Sequence, residues 1–194
     1  MFVLFSSPDE FGELPSPRGF DLAAQFSESE RGQLVEVVDS NDRPLLCMPP
    51  EIALRQKLPV RVVAVALRTR WNRLILRKRR DARLGFQGRW DLYAGFVLVG
   101  EAREDAALRL LLSDAGLHGL KLSPLPSREA GEEGASFFAL FAADMPAGLF
   151  PAHPAHEVMT VDADELAGLI RDVPELLSPE LVRAAASPGL LRIN

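Results

Sequence analysis

The sequence predicts an α/β fold in which a mixed β-sheet lies between two layers of helices. Runs rich in β-branched and aromatic residues, typical of buried strands, occur at residues 61–67 and 136–143. Between them, residues 103–115 form a breaker-free stretch of good helix formers, and Gly116 supplies a C-terminal stop. Strands before and after one central helix, with further helices near the C terminus, favour an α/β/α sandwich.

The remaining elements are predicted from apolar runs and from the residues that interrupt them. The other strands are short and apolar, at residues 34–39, 44–48, 73–77, 90–94 and 158–161. The other helices begin at prolines or capping side chains, at residues 51–57, 162–170 and 178–186. Loops rich in glycine or proline are predicted at residues 95–101, 123–134 and 144–156.

Three regions follow from this pattern. Residues 1–33 carry prolines, glycines, serines and acids with little periodicity, so we expect an irregular N-terminal extension. Residues 34–172 contain the predicted sheet and its central helix and form the main domain. Residues 173–194 are predicted to be a C-terminal helical tail.

Composition limits the class of protein. The chain has 194 residues, of which 47% are hydrophobic and 25% charged, as in ordinary globular proteins. No apolar stretch approaches the roughly 20 residues needed to span a bilayer, and the apolar start is too short for a secretory signal. The single cysteine, Cys47, fits a reducing compartment and is expected to be a buried thiol. We therefore expect a cytoplasmic protein without a membrane partner.

Charge is unevenly distributed along the chain. The net charge of −5 argues against a general nucleic-acid binder. Residues 68–83 nevertheless hold eight basic residues against one acid, Asp81. Such a run predicts either the solvated face of a hairpin or a surface that binds anions.

The stretch at residues 90–117 carries the chemistry. Gly95 is followed by five residues and Glu101, and seven more residues lead to Arg109. Leu111 and the closing pair Gly116 and Leu117 complete the pattern without a gap. This stretch resembles the Nudix box. The preceding hairpin and short helix resemble the branch of that superfamily related to isopentenyl-diphosphate isomerase.

The resemblance implies a Nudix-type α/β/α sandwich and a Mg²⁺-dependent reaction on a diphosphate. By the same resemblance, Glu101 and Arg109 are candidate catalytic residues. Glu157, just before a strand, is either an acid that assists the metal or water, or a surface glutamate. The candidate phosphate and ligand contacts are Arg77, Arg79, Gly95 and Gly100.

The box departs from the family pattern where that pattern places metal-binding acids. Leu110, Ser113 and Asp114 are spaced i, i+3 and i+4, so they share one helix face. In the family this face presents carboxylates to Mg²⁺, which prefers several hard oxygen ligands in octahedral geometry. Here Asp114 is the one carboxylate on the face, and Glu101 could add a second from the loop. We therefore expect a weakened Mg²⁺ site at most.

Three functions remain open from the sequence. The first is a divergent Nudix protein that binds a phosphorylated small molecule, with weak or lost pyrophosphohydrolase activity. The second is a Mg²⁺-dependent hydrolase that uses Glu101, Asp114 and Glu157. The third is an interaction scaffold, because the box helix is apolar on nearly every face. In that case Leu110 either packs where metal once bound or meets another subunit in a homodimer.

Overall fold

The computed structural model describes residues 32–79, 87–127, 137–146 and 157–191. Within them the strands are β1 Val35–Val38, β2 Pro44–Met48, β3 Arg61–Arg68, β4 Leu74–Lys78, β5 Trp90–Asp91, β6 Tyr93–Phe96, β7 Ser123–Leu125, β8 Phe137–Asp144 and β9 Val158–Val161. The helices are α1 Pro50–Arg55, α2 Arg103–Ala115, α3 Ala163–Asp172 and α4 Pro179–Ala185. A 3₁₀ turn at Pro174–Leu176, which the sequence did not predict, precedes α4.

Strand β3 organises the main sheet. It pairs in parallel with β8 along eight residue positions and antiparallel with β6 on its other side. Strand β4 continues the sheet and pairs antiparallel with β5 and β9. One parallel pairing among antiparallel ones makes the sheet mixed, which confirms the predicted α/β fold class.

The two faces of the sheet carry separate apolar clusters. Because side chains alternate along a strand, Val63 and Val65 of β3 pack under α2, whereas Val62 and Ala64 face the opposite layer. That second layer includes Leu166 of α3, and it also takes in the C-terminal residues Leu177, Leu181, Ala184 and Leu190. The described part of the predicted tail thus packs on the same core as α3.

The N-terminal hairpin is joined to the box loop. Strands β1 and β2 pair antiparallel as a separate small sheet. An isolated bridge links Val35 to Leu98, and Val99 donates a backbone hydrogen bond to Leu34. The loop before α2 is therefore held by the hairpin as well as by the helix.

Two predicted segments are divided differently in the structure. The predicted strand at residues 90–94 is two strands, β5 and β6, interrupted at Leu92. The predicted loop at residues 123–134 begins with β7, which pairs with the edge of β8. Pro124 is compatible with this strand because β7 lies at the end of the strand order, where a missing N–H costs no pairing on its open side.

Several predictions fall outside the described residues. These are the extension up to residue 31, the later part of the loop predicted at residues 123–134 and most of the loop predicted at residues 144–156. Among the residues that the structure does describe, no helix has the length and apolar character needed to cross a membrane.

Candidate functional site

The box helix α2 approaches the sheet closely at one glycine. Gly95 lies on β6 directly against Leu110, and a Cβ built on the glycine would lie 2.7 Å from Leu110 Cδ2. Leu110 is 7% exposed and belongs to the apolar cluster under α2. Of the two alternatives for Leu110, the structure favours packing inside the monomer, where its side chain lies against Gly95.

Arg109 and Glu101 brace the loop before the helix. Arg109 Nε donates to Glu101 Oε1 at 2.6 Å, and its Nη2 donates to Glu101 Oε2 and to the Phe96 carbonyl, both at 2.8 Å. Glu101 Oε2 also accepts from the backbone N–H of Leu98 at 3.0 Å. Both oxygens of Glu101 are therefore engaged in holding the loop, with Arg109 joining the helix to it.

Asp114, the acid that remains on the helix face, is paired with Arg77 of β4. The Arg77 guanidinium bonds the Asp114 carboxylate, the Ala94 carbonyl at 2.9 Å and the Leu92 carbonyl at 3.3 Å. The Arg77 side chain is 8% exposed and that of Asp114 is 21% exposed. Ser113 Oγ donates to the other Asp114 oxygen at 2.7 Å.

The other candidate residues are held elsewhere. Arg79 Nε donates at 2.6 Å to Asp91, which is fully buried beside α4. Lys78 Nζ lies 3.0 Å from Glu157 Oε2, in a half-exposed pair. Gly100 sits in an exposed turn with a φ of 73°, a conformation that favours glycine. The structure thus groups Gly95, Glu101, Arg109, Asp114 and Arg77 around the box and leaves Arg79 out.

The same pattern explains the basic run. Four of its described arginines, on β3, on β4 or directly beside β4, form ion pairs with acids from distant parts of the chain: Arg68 with Asp144, Arg73 with Asp162 and Glu165, Arg77 with Asp114, and Arg79 with Asp91. Arg70 stacks on Trp71, with its guanidinium 4.1 Å from the ring centroid. Residues 80–83 lie outside the described part of the chain, so these contacts account for the earlier part of the run.

These residues do not fit a magnesium site. In the part of the chain that the structure describes, no three or more His, Cys, Asp or Glu residues are grouped so that they could hold a metal ion. Glu101 and Asp114 are each neutralised by an arginine, and Leu110 offers no ligand atom. Magnesium requires several hard oxygen ligands free to coordinate it, and this arrangement does not offer them.

Tyr93 also lies at this site, although no motif or spacing in the sequence singles it out. Its ring lies below the Arg77 guanidinium, 5.5 Å from the ring centroid to Cζ. The hydroxyl is buried and has no hydrogen-bond partner among the described residues. Burial raises the pKa of Tyr93 to about 12; the Asp114 carboxylate also raises this pKa, and the Arg77 charge lowers it. The Tyr93 hydroxyl therefore stays protonated, and the uncharged ring packs against the Arg77–Asp114 ion pair.

Comparison with known proteins gives structural neighbours. No family model and no curated protein matches the chain. The solved structure of DR0079 from Deinococcus radiodurans is 20% identical with a TM-score of 0.63, and the match covers 78% of this chain and 96% of that one. RenU, a Nudix hydrolase from M. smegmatis, is 23% identical with a TM-score of 0.49, over 64% of this chain and 80% of that one.

A third neighbour is the dihydroneopterin triphosphate pyrophosphohydrolase of E. coli. It is 18% identical with a TM-score of 0.47, and the match covers 64% of this chain and 90% of that one. At these identities the likeness concerns the fold alone. The likeness to DR0079 extends over nearly the whole of that chain and agrees with the predicted fold.

Proposed function

We propose that this protein is a divergent member of the Nudix superfamily that binds a phosphorylated small molecule, with weak or lost pyrophosphohydrolase activity. One observation carries the proposal. On the helix face that would present carboxylates to Mg²⁺, Leu110 packs against Gly95, and the remaining acid, Asp114, is paired with Arg77. A face arranged in this way has no free carboxylate with which to bind a catalytic metal.

The hydrolase alternative requires three rearrangements. Glu101, Asp114 and Glu157 would each have to leave a cation: Arg109, Arg77 and Lys78, respectively. Breaking the Arg77 pair is the costliest of these, because the guanidinium is buried and would lose its charged partner. Magnesium binding would have to offset that cost before it could promote any reaction.

The ligand class rests on what the box retains. The spacing from Gly95 to Leu117 is unbroken, and the Arg109–Glu101 brace keeps the loop before α2 in a defined conformation. Lys78 ends β4 with a side chain that is 35% exposed, and a cationic side chain of this kind can bind phosphate oxygens. These features favour a phosphorylated small molecule at the loop, bound without a catalytic metal.

The test combines an activity assay with a binding screen on the purified protein. We expect hydrolysis of nucleoside triphosphates, nucleotide sugars and dinucleoside polyphosphates, assayed with Mg²⁺, to remain well below the roughly 1 s⁻¹ at the low end of typical enzymes. In a thermal-shift screen of the same compounds, a bound ligand should raise the melting temperature by mass action. The increase should be equal in Mg²⁺ and in a chelator.

Two results would reject this function. Mg²⁺-dependent turnover in the ordinary enzymatic range would favour the hydrolase alternative. A screen in which no phosphorylated compound stabilises the protein would favour a scaffold without a small-molecule ligand.

One observation favours that scaffold as a second candidate. Leu108 and Leu112 lie one helical turn apart on α2, and they are 36% and 56% exposed. A substitution of Leu112 by Glu tests this candidate. If the face joins two copies of the chain, the variant should be monomeric in light scattering where the parent is a dimer; a parent that is itself monomeric would reject the homodimer.

A further inference from the structure

Three oxygen atoms from two parts of the box converge on one guanidinium group. The carboxylate of Asp114 comes from the last turn of α2, and the carbonyls of Leu92 and Ala94 come from the chain at β6. Carboxylate and carbonyl oxygens are also the atoms with which proteins bind hard divalent cations. The Arg77 side chain thus joins the chain at β6 to helix α2, and the oxygen atoms that it contacts are of the kind that bind metal ions.

We propose that the guanidinium of Arg77 takes the place of the divalent cation in this box, so that the site carries its own fixed cation. This inference rests on the proposed function, because it explains how the box stays assembled after losing its other acids. The guanidinium supplies positive charge to Asp114, as a metal would, and it remains in place whatever the concentration of divalent cations.

Burial distinguishes this role from that of a phosphate-binding arginine. A ligand-binding guanidinium presents its N–H groups to an open cleft, whereas Arg77 is 8% exposed and directs its bonds to the protein itself. Tyr93 closes the site from below, with its ring face toward the guanidinium and its pKa raised by burial. Cation–π contact with a desolvated ring further stabilises a positive charge at this position.

The packing of Leu110 is also consistent with an arginine in place of a metal ion. A metal-binding acid at this position would need room for coordinated water, but Leu110 fills the space against Gly95. With one carboxylate left on the helix face, a single positive charge is sufficient for neutrality. One arginine therefore matches the charge of the box as it now stands.

The experiment compares three proteins by melting temperature, in MgCl₂ and in KCl of equal ionic strength. The parent should melt at the same temperature in both salts. The variant Arg77→Ala should be less stable than the parent, and MgCl₂ should raise its melting temperature by about 2–4 °C above KCl, as expected for a weak site in a protein of this size. Adding Asp114→Asn to Arg77→Ala should abolish that response.

Arg68→Ala provides the matched control. Arg68 is as buried as Arg77 and joins the Asp144 carboxylate to the Gly189 carbonyl, but it lies at the other end of β3 from the box loop. Its loss should lower the melting temperature equally in both salts. Should Arg77→Ala not fold, Arg77→Gln serves instead, because its shorter neutral side chain also vacates the position near Asp114.

The inference is overturned if MgCl₂ fails to stabilise the folded Arg77 variant, or if it stabilises Arg68→Ala to the same extent. These outcomes are independent of the proposed function, which is tested on the parent protein by hydrolysis and ligand binding. A parent that hydrolyses diphosphates at an ordinary enzymatic rate would reject the proposed function. A parent without activity, combined with an Arg77 variant insensitive to Mg²⁺, would reject the present inference alone.

Discussion

Two arginine–aspartate pairs begin two residues apart at the end of β4, yet they occupy different environments. Arg77 reaches Asp114 on α2, and the Asp114 side chain keeps 21% of its surface exposed. Arg79 reaches Asp91, whose side chain is completely buried. One pair lies at the box and the other at the junction between the sheet and the C-terminal helix.

The two acids also differ in the hydrogen bonds that they accept. Asp91 accepts bonds from Arg79, from the backbone N–H of Leu92 and from the Ser178 hydroxyl. Ser178 in turn caps α4 by accepting from the Leu181 N–H at 3.0 Å. Asp91 is thus built into the fold, whereas Asp114 bonds to Arg77 and to the neighbouring Ser113.

The largest predicted effect comes from removing each acid in turn. Asp91→Ala leaves the buried Arg79 without its partner and should lower the free energy of unfolding by about 3–5 kcal/mol. Asp114→Ala should cost less, because Arg77 keeps two carbonyl acceptors and the site borders solvent. Urea denaturation of both variants measures the difference.

Asp172→Ala is the control for this comparison. Asp172 pairs with Arg171 in an exposed position, where ion pairs contribute about 0–1 kcal/mol. If Asp114→Ala were as destabilising as Asp91→Ala, the two pairs would both be structural and the proposed distinction would fail.

The second-largest predicted effect concerns the close contact between Gly95 and Leu110. Gly95→Ala places a methyl group 2.7 Å from Leu110 Cδ2, and we expect a loss of about 1–3 kcal/mol from overpacking. Combined with Leu110→Ala, which opens space at that point, the same substitution should cost clearly less. Additive losses in this double-mutant cycle, measured by denaturation, would show that Leu110 does not fill the space beside Gly95.

The smallest predicted effect comes from Glu180, a buried acid beside the Arg79–Asp91 pair. Burial raises the pKa of Glu180, and the neighbouring Asp91 charge raises this pKa further, whereas Arg79 and Arg183 lower it. The Glu180 Oε2 atom has no hydrogen-bond partner among the described residues. The folded protein therefore holds the proton on Glu180 more tightly than the unfolded chain does.

The sign of the pH dependence follows from this tighter proton binding. The contribution of Glu180 to stability should fall as pH rises from the ordinary glutamate pKa through the raised one, and it should stay low above that. Glu180→Gln removes this fall, so the variant should be more stable than the parent at neutral pH and should lose that advantage in acid. Melting temperatures measured across this pH range test it; a variant less stable at every pH would contradict it.

Local chemistry made much of the fold predictable. The helix at residues 103–115 was predicted with the bounds that the structure has, because good helix formers end at Gly116, which adopts a φ of 67°. For the cap of α3 the sequence left two candidates, Asp162 and Asp164, and in the structure Asp162 forms a capping box with Glu165. Strand β7 was missed, because its three residues are stabilised by pairing with β8 rather than by their own preferences.

The sequence by itself determined the fold class, the spacing of the residues from Gly95 to Leu117 and the absence of acids at positions 110 and 113. The tertiary structure alone decided which groups meet there. Arg77 and Asp114 are 37 residues apart, and nothing local to either residue specifies the other. Their pairing arises because α2 packs on the face of the sheet to which β4 directs Ile75 and Arg77. A buried charge on that face must find its partner in space rather than along the chain.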